Sequence, residues 1–192
     1  MSVHFNSLNI LLLITCWILT SCANNNEMEA EIKKIISKPI IIPIEEMHFV
    51  SKDIIKNRFA NDSEYKLIIY SDTSMCSPCQ FRMLFEWNKL VYLEKDSLVD
   101  FYFIFRTNNL KELKQLYFDS YLEHYIFADT NGIFNYKNPQ IPHNPLFHCF
   151  LTNQDNEIVL IGNPLKNEDI NKLMQQIIKH KIKSPFEIYN NN

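Results

Sequence analysis

The chain has 192 residues, of which 46% are hydrophobic and 21% are charged, so it carries enough apolar material for a folded core. Its formal net charge is −3 and it contains no long basic run, which argues against nucleic acid as a partner. A chain of this length without an internal repeat predicts one domain with short extensions.

The N-terminal residues have the pattern of an export signal. Residues 10–19 form an apolar run of signal-peptide length that is too short to span a bilayer. The sequence LTSC at residues 19–22 resembles the lipobox of bacterial lipoproteins, in which the chain is cut before the cysteine and that cysteine carries the lipid. The resemblance implies a signal peptide at residues 1–21, a lipid anchor on Cys22, and a place in the cell envelope facing the periplasm or the cell surface. An ordinary secretory signal is the alternative.

The number of cysteines favours a reactive pair over a disulfide scaffold. Export would remove Cys16 and the lipid would block Cys22, which leaves Cys76, Cys79 and Cys149. An odd number of thiols outside the cytoplasm is better explained by one redox pair and one core cysteine.

The hydrophobic pattern of the remaining chain alternates between strands and helices. A proline-interrupted, β-branched run at residues 39–44 predicts an edge strand or an extended lead-in. Residues 133–144 carry two prolines and predict irregular structure. The other predicted elements are a helix at 31–37, strands at 47–50, 66–70, 99–105, 125–128, 146–151 and 157–161, helices at 77–95 and 110–124, and a last helix after the N-cap Asn167 with an apolar stripe that reaches residue 182.

Two cysteines with C-x-x-C spacing, Cys76 and Cys79, lie where the strand at 66–70 passes into the long helix. Thiol–disulfide exchange needs a thiolate, and a helix N-terminus within a C-x-x-C motif lowers the pKa of a cysteine. We therefore predict that Cys76 attacks a substrate disulfide and that Cys79 resolves the mixed disulfide. A structural disulfide and half of a metal site are the alternatives, and no cofactor or metal is predicted.

The order of elements, the cysteine motif and the sequence Asn144-Pro145 before the predicted hairpin resemble thioredoxin-like proteins. With the lipobox, the chain is similar to exported TlpA-like lipoproteins of Bacteroides-type bacteria. The resemblance covers about residues 66–183 and implies an α/β thioredoxin-like fold with a central mixed β-sheet flanked by helices. It also implies a glycine after the second hairpin strand, which Gly162 matches. Finally, it implies a cis Pro145 that faces the cysteines, in a substrate-binding set of Asn144, Pro145, Met75, Ser77 and Pro78.

The resemblance also implies a division of the chain and a function. Residues 22–37 form a lipidated tether and linker, 38–183 the thioredoxin-like domain with its N-terminal extension, and 184–192 a polar tail. The implied protein is a membrane-anchored, extracytoplasmic thiol–disulfide oxidoreductase. Its partners are the disulfides of exported proteins and a membrane redox donor.

Three residues depart from the pattern of the family. Tyr70 stands where thioredoxins carry a buried acid, Met75 replaces the usual aromatic residue, and Arg82 replaces a glutamate of TlpA-like reductases. They leave no evident proton acceptor for the resolving thiol and favour a non-catalytic binding lipoprotein as the alternative function. His143 and His148 leave a copper- or haem-maturation factor as a further alternative.

Overall fold

A mixed sheet of six strands forms the centre of the molecule. The computed structural model describes residues 27–52, 63–72, 81, 84–91, 98–180 and 182–186. In the sheet the strands follow the order β1-β4-β3-β2-β5-β6, with β2, β3 and β4 parallel and the remaining pairs antiparallel. The strands are β1 (His48–Val50), β2 (Tyr65–Ser71), β3 (Val99–Arg106), β4 (Ile126–Asp129), β5 (Cys149–Thr152) and β6 (Ile158–Ile161).

Helices cover both faces of this sheet. None of the described helices is long and apolar enough to cross a membrane. Short 3-10 turns cover Ile44–Glu46, Leu84–Trp87 and Pro145–Phe147. The α-helices are α1 (residues 27–35), α2 (Asn88–Val91), α3 (Leu110–Asp119), α4 (Ile133–Lys137) and α5 (Glu168–Ile178).

The connections between these elements give the predicted fold class. A helical segment lies between the parallel strands β2 and β3, and the antiparallel pair β5–β6 is followed by α5. The chain therefore has a thioredoxin-like fold, with β4 and β1 extending the sheet beyond β3. Parallel strands in such sheets are covered on both faces. For this reason the residues of β3 are almost all apolar.

The core consists of two clusters, one on each face of the sheet. The first contains side chains of α2, α3 and α5, and the second contains side chains of α1, α4 and the segment after α1. Phe101 and Phe103 of β3 belong to the first cluster and Ile104 to the second, and all three are completely buried. Packing on both faces thus fixes the positions of the carboxyl ends of the middle strands.

Residues 133–144 are not irregular throughout, as the sequence suggested, because Asp129 starts a helix there. Its carboxylate is fully buried and accepts hydrogen bonds from the backbone N–H groups of Ile133 (2.9 Å) and Phe134 (3.1 Å). These two groups would otherwise lack partners at the first turn of α4. Gly132 enters the turn at a φ of 70°, which glycine adopts without strain.

Three predicted helices differ at their ends. In α3 the helix stops at Asp119 because Ser120 is extended and its hydroxyl donates to the Tyr117 carbonyl. In α5, Asn167 caps the first turn as predicted, but the helix ends at Ile178 and His180 has a φ of 53°. Of the helix predicted at 77–95, the described part consists of Phe81, which is helical, a 3-10 turn and α2; the remainder lies outside the described residues.

The segment after α1 is the extended lead-in that its prolines predicted. Ile35 and Ile40 are buried in the second cluster, and the Ile40 N–H donates to the Asn156 carbonyl (2.8 Å). The side chain of Asn138 holds the next residue, accepting from the Ile41 N–H and donating to its carbonyl, both at 2.8 Å. The buried Asn138 amide thus makes the backbone hydrogen bonds to the lead-in that a neighbouring strand would otherwise make.

Candidate active site

The cysteine motif lies between two residues that the structure fixes. β2 ends at Ser71, and Asp72 follows with a buried side chain. Beyond the motif, Phe81 is buried and stacks on Phe105 of β3 with 4.7 Å between the ring centroids. Cys76 and Cys79 lie between these points, outside the described residues, together with Met75, Ser77 and Pro78; Cys22 also lies outside them.

The loop that contains Asn144 and Pro145 meets the end of β2. The imidazole Nδ1 of His143 lies 3.7 Å from the carboxylate of Asp72, and the Tyr70 N–H donates to the His148 carbonyl at 2.8 Å. Residues 143–146 of this loop are exposed. The fold therefore brings the predicted docking loop to the strand end from which the chain enters the cysteine motif.

Pro145 is not a cis-proline, which corrects the expectation from the family. The described residues contain no cis peptide bond, so the bond from Asn144 to Pro145 is trans. Pro145 occupies the first position of a 3-10 turn, where its missing N–H costs nothing. The Asn144 side chain caps this turn by accepting from the Leu146 N–H at 3.1 Å. The strand predicted at 146–151 consequently begins only at Cys149, and a substrate role for Asn144 and Pro145 stays a prediction.

Tyr70 occupies the position for which the resemblance to thioredoxins implied a buried acid. Its side chain is buried between the rings of Phe134 (4.8 Å between centroids) and His148 (5.1 Å). Burial raises the pKa of the Tyr70 phenol strongly, and the nearby carboxylates of Asp72 and Asp129 raise it further. The phenol is therefore neutral at physiological pH and cannot accept a proton from a thiol.

His148 is buried next to Tyr70 and has one ring nitrogen engaged. Its side chain is 3% exposed, and Nε2 lies 2.8 Å from the carbonyl oxygen of Pro142. Because a carbonyl only accepts hydrogen bonds, Nε2 carries the proton. Burial lowers the pKa of His148, so the ring is neutral at pH 7 and Nδ1 keeps its lone pair. The sequence singled out His148 only as a metal ligand; its burial and its bond to Pro142 carried no sequence signal.

Cys149 is a core cysteine, as predicted. Cys149 has a free thiol and is 5% exposed. In the sheet it pairs with Ile69 of β2. Burial raises the pKa of the Cys149 thiol to about 12. Because the thiolate is the reactive form, this cysteine is inert at neutral pH.

The histidines of the loop do not form a metal site with other described residues. Among the described residues, no three His, Cys, Asp or Glu side chains are grouped so that they could hold a metal ion. His143 is 86% exposed, and His148 already uses Nε2 for Pro142.

Comparison with known proteins finds similar folds at low similarity. No protein-family model and no curated protein sequence matches the chain. A thioredoxin-like protein from Bacteroides caccae aligns with a TM-score of 0.48 and 12% identity over 82% of this chain, which spans 55% of that protein. A putative thiol:disulfide interchange protein DsbE from Chlorobium tepidum aligns with a TM-score of 0.47 and 17% identity. The alignment covers 74% of this chain and 96% of that protein. The thioredoxin domain of a thiol-disulfide oxidoreductase from Bacteroides vulgatus aligns with a TM-score of 0.46 and 15% identity. The alignment covers 62% of this chain and 81% of that domain. Likenesses at this level identify no activity.

Proposed function

We propose that this protein is an extracytoplasmic thiol–disulfide oxidoreductase that reduces disulfides in exported proteins through Cys76 and Cys79. The observation that supports the proposal is a contact between Asp72, which precedes the motif in the sequence, and the loop that contains His143. The chain enters the C-x-x-C motif from Asp72, and Asp72 contacts the exposed loop of His143, Asn144 and Pro145.

In the proposed reaction, the Cys76 thiolate attacks a substrate disulfide and forms a mixed disulfide, and one substrate thiolate leaves. Cys79 then attacks the Cys76 sulfur, which forms the Cys76–Cys79 disulfide and releases the second substrate thiolate. The substrate gains two electrons and the motif loses two. Asn144 and Pro145 contact the substrate chain from the facing loop, and Met75, Ser77 and Pro78 contact it from the motif.

The proposed location follows from the N-terminal sequence. Cleavage before Cys22 and lipidation of this cysteine anchor the protein to a membrane of the cell envelope, facing the periplasm or the cell surface. Outside the cytoplasm the oxidised motif needs a source of electrons, so a membrane redox donor returns it to the dithiol form.

A variant that stops the reaction halfway tests this function. The experiment uses the full chain in detergent with Cys16 and Cys22 replaced by serine, so that only three thiols remain. Cys79→Ser removes the resolving thiol, and we expect this variant to accumulate a disulfide-linked adduct with an insulin chain, seen by non-reducing mass spectrometry. The matched control, Cys76→Ser with Cys79→Ser, forms no adduct. Equal adduct in both variants contradicts the proposal.

A non-catalytic binding lipoprotein is the second candidate, and one observation favours it. Tyr70, with its strongly raised pKa, offers no base where the family carries an acid. In that case the loop of residues 143–146 holds a partner, and the Cys79→Ser variant forms no adduct with insulin.

A further inference from the structure

The turn between β4 and α4 contains an asparagine followed by a glycine. Asn131-Gly132 is the only Asn-Gly pair in the sequence, and Asn131 lies on a bend just after β4 ends at Asp129. Two groups of this pair can react with each other: the side-chain amide of Asn131 and the backbone nitrogen of Gly132. The main-chain carbonyl carbon, Cα and Cβ of Asn131 link these groups, so rotations within Asn131 alone bring them together to close a five-membered ring.

The fold leaves both groups available for this reaction. Asn131 is exposed and Gly132 is half-buried. Among the hydrogen bonds of the described residues, none uses the Asn131 side chain, the Asn131 carbonyl or the Gly132 N–H. By contrast, the next two N–H groups, of Ile133 and Phe134, are bound to the carboxylate of Asp129. Backbone N–H groups in folded proteins are nearly always paired when buried, and such pairing resists rotation of the peptide. Rotation of the peptide between Asn131 and Gly132 breaks no bond of this kind among the described residues.

The surroundings of Gly132 favour attack by its nitrogen. Glycine has no side chain to shield this atom, and it adopts the φ of 70° without strain. The guanidinium of Arg106 packs against Gly132, since a Cβ placed on this glycine would lie 2.9 Å from the Arg106 Cζ. Arginine is positively charged at any physiological pH, and a nearby positive charge favours loss of the proton from the attacking nitrogen. Within the described residues this guanidinium makes one hydrogen bond, from Nη1 to the Asp129 carbonyl at 3.4 Å.

We propose that Asn131 is a modification site at which the chain deamidates itself through a cyclic imide with Gly132. The Gly132 nitrogen loses its proton and attacks the Asn131 amide carbon. The bond from this nitrogen to Cγ forms, the bond from Cγ to Nδ2 breaks, and ammonia leaves with the proton. Water, the co-reactant, then opens the ring: attack at one carbonyl gives aspartate, and attack at the other gives isoaspartate. The site uses neither cysteine of the motif and is independent of the proposed function.

Deamidation changes the turn in two ways. Both products add a negative charge to a turn that already holds the buried carboxylate of Asp129, and the guanidinium of Arg106 is the nearby cation that can pair with it. Isoaspartate also lengthens the main chain by one carbon between Asp129 and Ile133. The Asp129 carboxylate reaches the N–H groups of Ile133 and Phe134 across this same segment. We therefore expect the isoaspartate form, but not the aspartate form, to lose the cap of α4.

The test follows the unsubstituted turn over time. The full chain in detergent, with Cys16 and Cys22 replaced by serine, is kept at pH 8 and 37 °C in water labelled with heavy oxygen. Peptide mass spectrometry measures the conversion of each asparagine to an acid, and electron-transfer fragmentation separates isoaspartate from aspartate. We expect conversion at Asn131 with uptake of the labelled oxygen and with isoaspartate among the products.

Asn109 is the matched control in the same molecule. It is also exposed, but Leu110 follows it, and its side chain accepts a hydrogen bond from the Glu112 N–H at 3.2 Å. We expect Asn131 to be converted at least about tenfold faster than Asn109, because glycine leaves the attacking nitrogen unshielded. Conversion of Asn131 no faster than that of Asn109 overturns the proposal. Aspartate as the only product also overturns it, because direct hydrolysis of the amide forms no ring.

Unfolding the same chain in urea measures how far the fold permits the reaction. We expect the rate at Asn131 in the native protein to be within about tenfold of the rate in the unfolded chain, because no local opening is needed. A native rate lower than this range overturns the accessibility of the site.

Hydrogen exchange tests the effect on α4. The isoaspartate form is expected to lose the protection of the Ile133 and Phe134 N–H groups. The variant Asn131→Asp adds the charge without the extra main-chain carbon, and it keeps this protection. Equal protection in the isoaspartate form and in fresh protein contradicts the loss of the cap.

Discussion

Replacing Cys76 with alanine is expected to lower the rate of insulin disulfide reduction by about a thousandfold or more, to the level of the uncatalysed exchange. The first step needs a thiolate at the first cysteine of the motif. Cys79 cannot replace Cys76 in this step, because it is the second cysteine of the motif. The measurement is turbidity from precipitating insulin B chains, followed with the full chain in detergent and with Cys16 and Cys22 replaced by serine.

Cys149→Ala is the matched control for this variant. Its thiol is 5% exposed and its pKa is raised to about 12, so its removal leaves the reduction rate unchanged. A Cys76→Ala protein that keeps full activity removes Cys76 from the mechanism. Loss of activity in a folded Cys149→Ala protein would show that Cys149, not Cys76, is the reactive thiol.

Replacing Asn138 with alanine is expected to lower the free energy of unfolding by about 2–3 kcal/mol, because backbone groups lose buried partners. The Asn138 amide is fully buried and makes three hydrogen bonds of 2.8 Å, two to Ile41 and one to the Phe134 carbonyl. Without it, the described contacts that still hold the lead-in include its apolar contacts and the bond from Ile40 to Asn156. Urea unfolding measures the change.

Asn135→Ala provides the control on the same helix. The Asn135 side-chain oxygen is buried without a hydrogen-bond partner among the described residues, so its loss changes stability by less than about 0.5 kcal/mol. Similar losses for the two variants would show that the effect comes from α4 in general. A change below about 0.5 kcal/mol for Asn138→Ala contradicts the role given to its hydrogen bonds.

Patterns with a clear physical cause were readable from the sequence. The unbroken apolar run of β3 predicts a strand covered on both faces, and Asn167 before two acidic residues predicts the start of α5. The helix α4 was missed because it has only five residues and no periodicity; it depends on Asp129 from the preceding strand. Such a short helix is stabilised by its cap and its packing, which no local pattern displays.

The surroundings of the candidate site were predictable only in part. The motif and the Asn144–Pro145 sequence predicted two segments that meet, and the contact between Asp72 and His143 brings their flanks together. Pro145 starts a 3-10 turn that the Asn144 side chain caps, and the resemblance to thioredoxin-like proteins did not predict this turn. The burial of His148 and its bond to the Pro142 carbonyl were not predictable, because both arise only when the loop folds onto β2.

The central claim, a cysteine pair that cycles between dithiol and disulfide, is tested most directly by its reduction potential. The full chain with Cys16 and Cys22 replaced by serine is equilibrated in buffers of defined thiol–disulfide ratio, alkylated, and weighed by mass spectrometry. We expect a reversible two-electron transition of Cys76 and Cys79 between about −120 and −270 mV, the range of known oxidoreductases. A pair that never cycles, or one that stays oxidised below about −300 mV like a structural disulfide, contradicts the proposed function.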